Sequence, residues 1–286
     1  MKTITNNERA GVLIQALPYI QRYQGKTIVV KYGGSAMINE ELKDAVIQDV
    51  ILMACVGIRT VLVHGGGPEI DAMLKRLGKE SRFVNGLRYT DEETMEIVQM
   101  VLCGKVNKHI VSLIQRQGGR AMGLCGIDGN LLTAKRITDQ DLGLVGEIVS
   151  VDTKSIDALL DDGIIPVVSS VALDEDTGNS LNVNADSAAA HIAAALSAEK
   201  LALMTDVQGI MRDMDDPASL IKAIPRSDLD ALKKDGVVSK GMLPKVDCCI
   251  KALDGGVPRA HIIDGRLSHA LLIELFTDEG IGTMIT

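Results

Sequence analysis

The chain has 286 residues, of which 46% are hydrophobic and 24% charged, and a formal net charge of −8. This length and apolar content allow one large α/β unit or two lobes of ordinary size around a well-buried core, and they exclude a disordered chain. The acidic balance, with no block of lysine or arginine anywhere, argues against nucleic acid and anionic membrane as partners.

The first segment, NNERAGVLIQALPYIQRY, sets Val12, Leu13, Ala16, Leu17 and Ile20 on one helical face, with Asn6 or Asn7 as cap and Pro18 as a weak point. This helix precedes the first clear strand, so it either packs on its own sheet or meets another copy of the chain. TIVVKY (27–32) reads as a strand that ends in Gly33-Gly34 and gives way to a helix reaching about Gly57. RTVLVH (59–64) is a second strand, ending in Gly65-Gly66-Gly67 and followed by a helix from Pro68. Strand, glycines and helix in succession, twice over, mark βαβ units of a parallel sheet.

A long helix is expected over 91–117, small hairpins over 119–151 and a helix near 153–162. IIPVVSSV (164–171) is a buried strand and DEDTGNS (174–180) a turn. ADSAAAHIAAAL (185–196) is an alanine-rich helix, and KLALMTDV (200–207) is a strand with a polar end. Helices near 227–235 and over 241–254, a strand RAHIID (259–264) and a last helix near 268–276 complete the pattern. The class is therefore α/β: a mainly parallel open sheet between helices, with small hairpins and an extra N-terminal helix. Aromatics are scarce, with no Trp, two Phe and four Tyr, so aliphatic side chains fill the core, as suits a buried parallel sheet. Five cysteines, two of them adjacent (Cys248, Cys249), with no C-x-x-C, argue against a disulfide framework and a zinc site and fit a reducing cytoplasm. No signal peptide is read at the N-terminus, nor any apolar run long enough to cross a membrane.

Glycine costs backbone entropy and adds no packing, so clusters at the ends of two successive strands need a reason. At the carboxyl end of parallel strands they expose N–H groups at helix starts, where phosphate or carboxylate binds. The spacing fits neither G-x-x-x-x-G-K-[ST] nor G-x-G-x-x-G with an acidic residue about twenty positions on, so neither a P-loop nor a dinucleotide fold is supported. Lys31, at the tip of the first strand, either snorkels to the surface or reaches a phosphoryl group held beside Gly33-Gly34. Lys245 in GMLPKVD is an exposed helix lysine unless it joins the same site. In SLNVNADSAAA, Asn182 and Asn184 share a face of an extended segment, and Asp186 sits where it would cap the alanine helix. Arg88 in NGLRYTDEE, just before a helix capped by Thr90 or Asp91, suits bidentate carboxylate recognition or an ordinary surface salt bridge.

The stretches VVKYGGS, VLVHGGGPEI, NGLRYTDEE, SLNVNADSAA, LMTDVQGIM, GMLPKVD and HIIDGRLSHALLIELFTDEGIGTMI occur in order from residue 29 almost to the C-terminus. As an ordered set they resemble the amino-acid kinase superfamily, and within it the N-acetyl-L-glutamate kinases. HGGGPEI with NGLR and NVNAD separates that branch from the carbamate, aspartate, uridylate and glutamate 5-kinases. The resemblance implies transfer of the ATP γ-phosphoryl group, with Mg2+ held mainly by the nucleotide, to the side-chain carboxylate of N-acetylglutamate in arginine biosynthesis. It implies that Gly66, Gly67, Arg88 and Asn182 bind the acceptor and that Lys31 and Lys245, oriented by Asp186, act in catalysis. Gly33, Gly34, Asp206, Val207, Gly209, Met211, Val237 and Ser239 would contact the nucleotide, with no metal held by the protein itself. The acceptor lobe is expected at 26–195, the nucleotide lobe at 196–286, and an N-terminal helix at 1–25 as an oligomer contact. Family members with such a helix are hexamers, trimers of dimers, inhibited by arginine; Tyr19, Lys222, His269 and Glu279 would be the effector contacts here. The competing readings are a kinase for a related acidic amino acid and a catalytically silent amino-acid sensor.

Overall fold

The computed structural model describes residues 5–213, 215–239, 241–278 and 280–286. Helix α1 (Asn6–Tyr23) leads to β1 (Thr27–Tyr32), a 3-10 turn at Gly34–Met37, and α2 (Glu40–Cys55). Next come β2 (Arg59–His64), α3 (Gly67–Arg76), a short hairpin of β3 (Phe83–Val84) and β4 (Leu87–Arg88), and α4 (Glu92–Gln99). A π-helical segment, Met100–Val106, joins α4 to α5 (Asn107–Arg116) without a break. The chain continues through β5 (Ala121–Cys125), β6 (Leu132–Arg136), β7 (Gly146–Val151), α6 (Lys154–Asp161) and β8 (Ile165–Ser169). β9 (Val171–Asp174), β10 (Ser180–Asn182), α7 (Ala185–Ala195), β11 (Lys200–Thr205) and β12 (Ala223–Ile224) follow. The last elements are α8 (Leu229–Lys234), α9 (Met242–Asp254), β13 (Ala260–Asp264), α10 (Ala270–Phe276) and β14 (Thr283–Ile285).

Eight strands form the central sheet in the order β12-β14-β13-β11-β1-β2-β8-β5. All neighbours run parallel except β13 and β14. The central strands are apolar on both faces: Val29, Val61, Val63, Leu201 and Leu203 point into one core, and Ile28, Val30, Leu62, Ala202 and Met204 into the other. Burial on both faces explains why these strands read as continuous apolar runs rather than alternating ones. One core is closed by α7 and α9, the other by α2 and the long helix through α4 and α5.

The region 119–151 departs from the expected hairpins. β5 is a parallel edge strand of the main sheet, beside β8, and only β6 and β7 pair antiparallel, in a separate four-stranded sheet with β9 and β10. The continuous helix Glu92–Arg116 also corrects the reading that no segment is long and apolar enough to cross a membrane. It passes that test by length and composition, yet half of its most apolar window is buried inside the protein, as befits a core helix.

α1 spans the expected residues, but its cap is Thr5, whose hydroxyl accepts from the Glu8 N–H while the Glu8 side chain bonds back to Thr5 N. This reciprocal capping box displaces Asn6 and Asn7 from the role. The helix runs on through Pro18 and buries Tyr23 alone, leaving Val12, Leu13, Ile14 and Leu17 exposed.

Candidate active site

β1 and β2 pair in parallel with Tyr32 opposite His64, so Gly33-Gly34 and Gly65-Gly66-Gly67 leave the same edge of the sheet side by side. Lys31 curls back over the turn that follows its own strand: a Cβ on Gly33 would lie 2.5 Å from the Lys31 Nζ. Gly34 has φ +67°, and a Cβ there would run into the carboxylate of Asp206 from the end of β11. Glycine at 34 is thus required both by the left-handed backbone and by the close approach of an acid.

The Lys31 ammonium lies 2.9 Å from Asp186 Oδ1, and the Lys245 ammonium, from α9, lies 3.1 Å from Asp186 Oδ2. Asp186 is 7% exposed. Burial alone would raise its pKa, but the ammoniums of Lys31 and Lys245 outweigh burial and hold the carboxyl below the usual range. The capping role expected of Asp186 belongs instead to Asn184, whose side-chain oxygen accepts from the N–H groups of Asp186 and Ser187. The cap takes only the Asn184 oxygen, and Asn184 still lines the smaller cavity together with Asn182, as their shared face implies. Freed from capping, Asp186 in the first turn of α7 turns to the two lysines.

Two cavities meet at this triad. The larger, about 630 Å³, is lined by Lys31, Gly34, Asp206, Val207, Gly209, Met211, Val237, Ser239 and Lys245. It gathers every expected nucleotide contact except Gly33, which faces the second cavity. That one, about 240 Å³, is lined by Lys31, Gly33, Gly34, Gly65, Gly66, Gly67, Arg88 and Asn182 among others. All four residues expected to hold the acceptor face it, and the two cavities share Lys31 and Gly34.

Arg88 is 8% exposed. Its Nη1 donates to Asp71 at 2.6 Å and to Ser81 at 2.8 Å, and its Nη2 to the Gly67 carbonyl at 3.3 Å. The guanidinium also lies 4.7 Å from the Phe83 ring centre. It is a held, buried cation, unlike a surface salt bridge. Asp91 caps α4, accepting from the Thr94 N–H, and Asn182 donates to Thr90 Oγ1 at 3.1 Å. Asp71 and Ser81 were missed in the sequence because they reach Arg88 only across the turn after α3. Among the described residues no three His, Cys, Asp or Glu side chains group as a metal site.

The residues expected to contact an effector lie around the C-terminal segment. Tyr19 donates to Asp278, His269 Nδ1 lies 2.6 Å from the buried Asp49 Oδ1, and the Lys222 carbonyl accepts from the Met284 N–H. Glu279 lies outside the described residues.

Residues 26–264 match the model of the amino acid kinase family. The chain belongs to that family. It is 58% identical over 280 residues to the acetylglutamate kinase of Clostridium kluyveri, covering 98% of this chain and 99% of that one. Among solved structures, N-acetylglutamate synthase from Neisseria gonorrhoeae, complexed with coenzyme A and N-acetyl-glutamate, superposes with a TM-score of 0.84 at 29% identity. That match covers 97% of this chain, which spans 63% of the synthase. The same synthase complexed with coenzyme A and L-arginine gives a TM-score of 0.80 at 27% identity, covering 97% of this chain and 65% of that one. Both likenesses carry the amino-acid kinase fold: a mainly parallel sheet between helices.

Proposed function

We propose that the chain is an ATP-dependent kinase that phosphorylates the side-chain carboxylate of N-acetyl-L-glutamate, giving an acyl phosphate for arginine biosynthesis. The observation that carries this is the junction of the two cavities, where Lys31 and Gly34 line both and Asp186 aims two ammoniums at one place. The larger cavity takes the nucleotide and the smaller the acceptor. On this reading 26–195 forms the acceptor lobe and 196–286 the nucleotide lobe.

A carboxylate with a reference pKa near ~4.3 is already ionised at neutral pH, so the step needs no general base. His64 fits that account, being fully buried and kept neutral by its surroundings, with a pKa lowered to about 4. What the chain must supply is alignment and neutralisation of charge as the phosphoryl group crosses. Arg88 offers its guanidinium to the α-carboxylate, Gly66 and Gly67 their N–H groups to the reacting carboxylate, and Asn182 its amide to the acyl-amino group. Gly34 donates its N–H to the phosphoryl group, and Lys31 and Lys245 stabilise the charge at the transition state. The ammonium and N–H donors suit a polyphosphate, and Asp206 is the carboxylate that lines the nucleotide cavity. Mg2+ would enter with the nucleotide, held mainly by its phosphates, and would supply further charge neutralisation.

Val12, Leu13, Ile14 and Leu17 are all exposed apolar side chains on α1, which suits a second copy of the chain and a homo-oligomer. Tyr19, on the same helix, reaches the C-terminal segment where Lys222 and His269 also lie, and this is the place for L-arginine as an inhibitor. An acyl-phosphate trap tests the whole reading. Protein with Mg-ATP and hydroxylamine should yield hydroxamate with N-acetylglutamate, not with glutamate or aspartate, and L-arginine should reduce the yield. Hydroxamate with another acceptor reassigns the small cavity; none with any acceptor, from folded protein, refutes the kinase.

A further inference from the structure

His64 is fully buried at the tip of β2, beside the glycines that line the acceptor cavity, and takes no part in the chemistry above. Its Nδ1 lies 2.8 Å from the carbonyl oxygen of Gly65. A carbonyl can only accept, so Nδ1 carries the hydrogen and Nε2 is left as an acceptor. Asn107 meets that need: its Nδ2 lies 3.1 Å from His64 Nε2 and 2.8 Å from the Val167 carbonyl. Its Oδ1 accepts from Lys108 Nζ at 3.1 Å, so the amide has one sensible orientation. The hydrogen bonds run in one direction, from Asn107 through the imidazole to the Gly65 carbonyl.

A trans peptide is planar, with the N–H of Gly66 pointing opposite to the Gly65 C=O. Turning that carbonyl onto a buried imidazole turns the Gly66 N–H away from it, toward the cavity. The π-helical segment secures the arrangement from outside. Leu102 presses on the same glycine, where a Cβ on Gly66 would lie 2.7 Å from its Cδ2, and Asn107 follows directly after the segment. Gly123 on β5 completes the seat, since any side chain there would collide with the Asn107 amide.

We infer that His64 and Asn107 are positioning residues, which hold the Gly65–Gly66 peptide so that the Gly66 N–H is presented to the reacting carboxylate of the acceptor. This rests on the acceptor reading of the small cavity. The competing role is purely structural: Asn107 also reaches the carbonyls of Leu124 on β5 and Val167 on β8, and so ties strand ends together.

The test compares wild type with His64→Gln and His64→Asn. An Asn amide can occupy the place of Nδ1 and keep the donor to Gly65, whereas a Gln amide reaches the place of Nε2 and loses it. The Gln variant should raise KM for N-acetylglutamate about tenfold or more with KM for ATP nearly unchanged, and the Asn variant should recover most of that loss. A Gln variant matching wild type, or one in which both KM values and kcat shift together, would overturn the assignment. Wild type inert toward N-acetylglutamate would overturn the reaction and this role together, which separates the two failures. One measurement needs no variant. In protein labelled with nitrogen-15 histidine, His64 should show a protonated Nδ1 and a bare Nε2, and a proton on Nε2 instead would overturn the proposal.

Discussion

Asp186→Asn keeps the size of the side chain and removes its charge. In the wild type the carboxylate stands 2.9 Å from one ammonium and 3.1 Å from the other. At an effective dielectric of about 20, each contact is worth roughly 5–6 kcal/mol of gross attraction, most of it offset by burial of the acid. Removing one partner of a buried ion pair costs about 3–5 kcal/mol, because the remaining charge stays uncompensated. Here the lysine side chains are 12% and 25% exposed, so both ammoniums can turn toward water. That relief puts the expected loss near the lower bound, about 3 kcal/mol. It should appear as a lower urea midpoint with an unchanged m-value. The turn toward water also takes the lysines off target. If each supplies transition-state stabilisation like that of an oxyanion-hole donor, about 2.7–4 kcal/mol, kcat should fall at least about a hundredfold. ADP release in a coupled assay measures this. A variant losing less than about 1 kcal/mol of stability, with kcat within about threefold of wild type, would refute the account of Asp186 as the group that aims both lysines.

Gly34→Ala should be severe in a different way: a left-handed alanine costs about 1 kcal/mol of backbone strain, and its methyl group would displace the Asp206 carboxylate, so KM for ATP should rise more than KM for the acceptor. Near-normal ATP saturation in that variant would count against the placement of the nucleotide at this turn. A second prediction concerns acid stability. Burial, only partly offset by the bond to Gly65, lowers the pKa of His64 from 6.5 to about 4. The unfolded chain therefore takes up a proton as pH falls through its ordinary value while the folded chain does not. Stability fully present above that value is lost on the way down to about 4, by roughly 2 kcal/mol between about pH 7.5 and pH 5. His64→Asn lacks that loss, so the gap in unfolding free energy between wild type and variant should move in the variant's favour by that amount; a gap independent of pH would contradict it.

Much of the site could be read from the sequence because its parts are local. Glycines at strand ends, a lysine closing an apolar run and a cap followed by alanines are each set by neighbours in the chain. What escaped is set by distance. Asn184 and Asp186 are both good helix caps, and the choice between them depends on Lys31 and Lys245, far away along the chain. Arg88 looks the same whether exposed or held, and its holder Asp71 lies 17 positions upstream. β5 looked like a hairpin piece because Gly123 interrupts it, and that glycine is there to admit Asn107 from another layer. The π-helical turns at Met100–Val106 shift the helical phase where a steady 3.6-residue period would be assumed.

The pairing of β1 with β2 acts as a ruler. Tyr32 and His64 stand opposite one another, so the two glycine loops start at the same height, one strand spacing apart, about 4.8 Å. Reacting atoms need to be brought to about 3–3.5 Å, a gap of the same order. If the acceptor sits on one loop and the phosphoryl group at the other, as proposed, backbone hydrogen bonds between adjacent strands would set the starting separation of the reactants. β11, which bears Asp206 just beyond its end, pairs with the other edge of β1, so the same sheet passes beneath both cavities. A change of shape around the nucleotide that preserves this pairing can therefore gather loops and side chains over the substrates while leaving that separation unchanged.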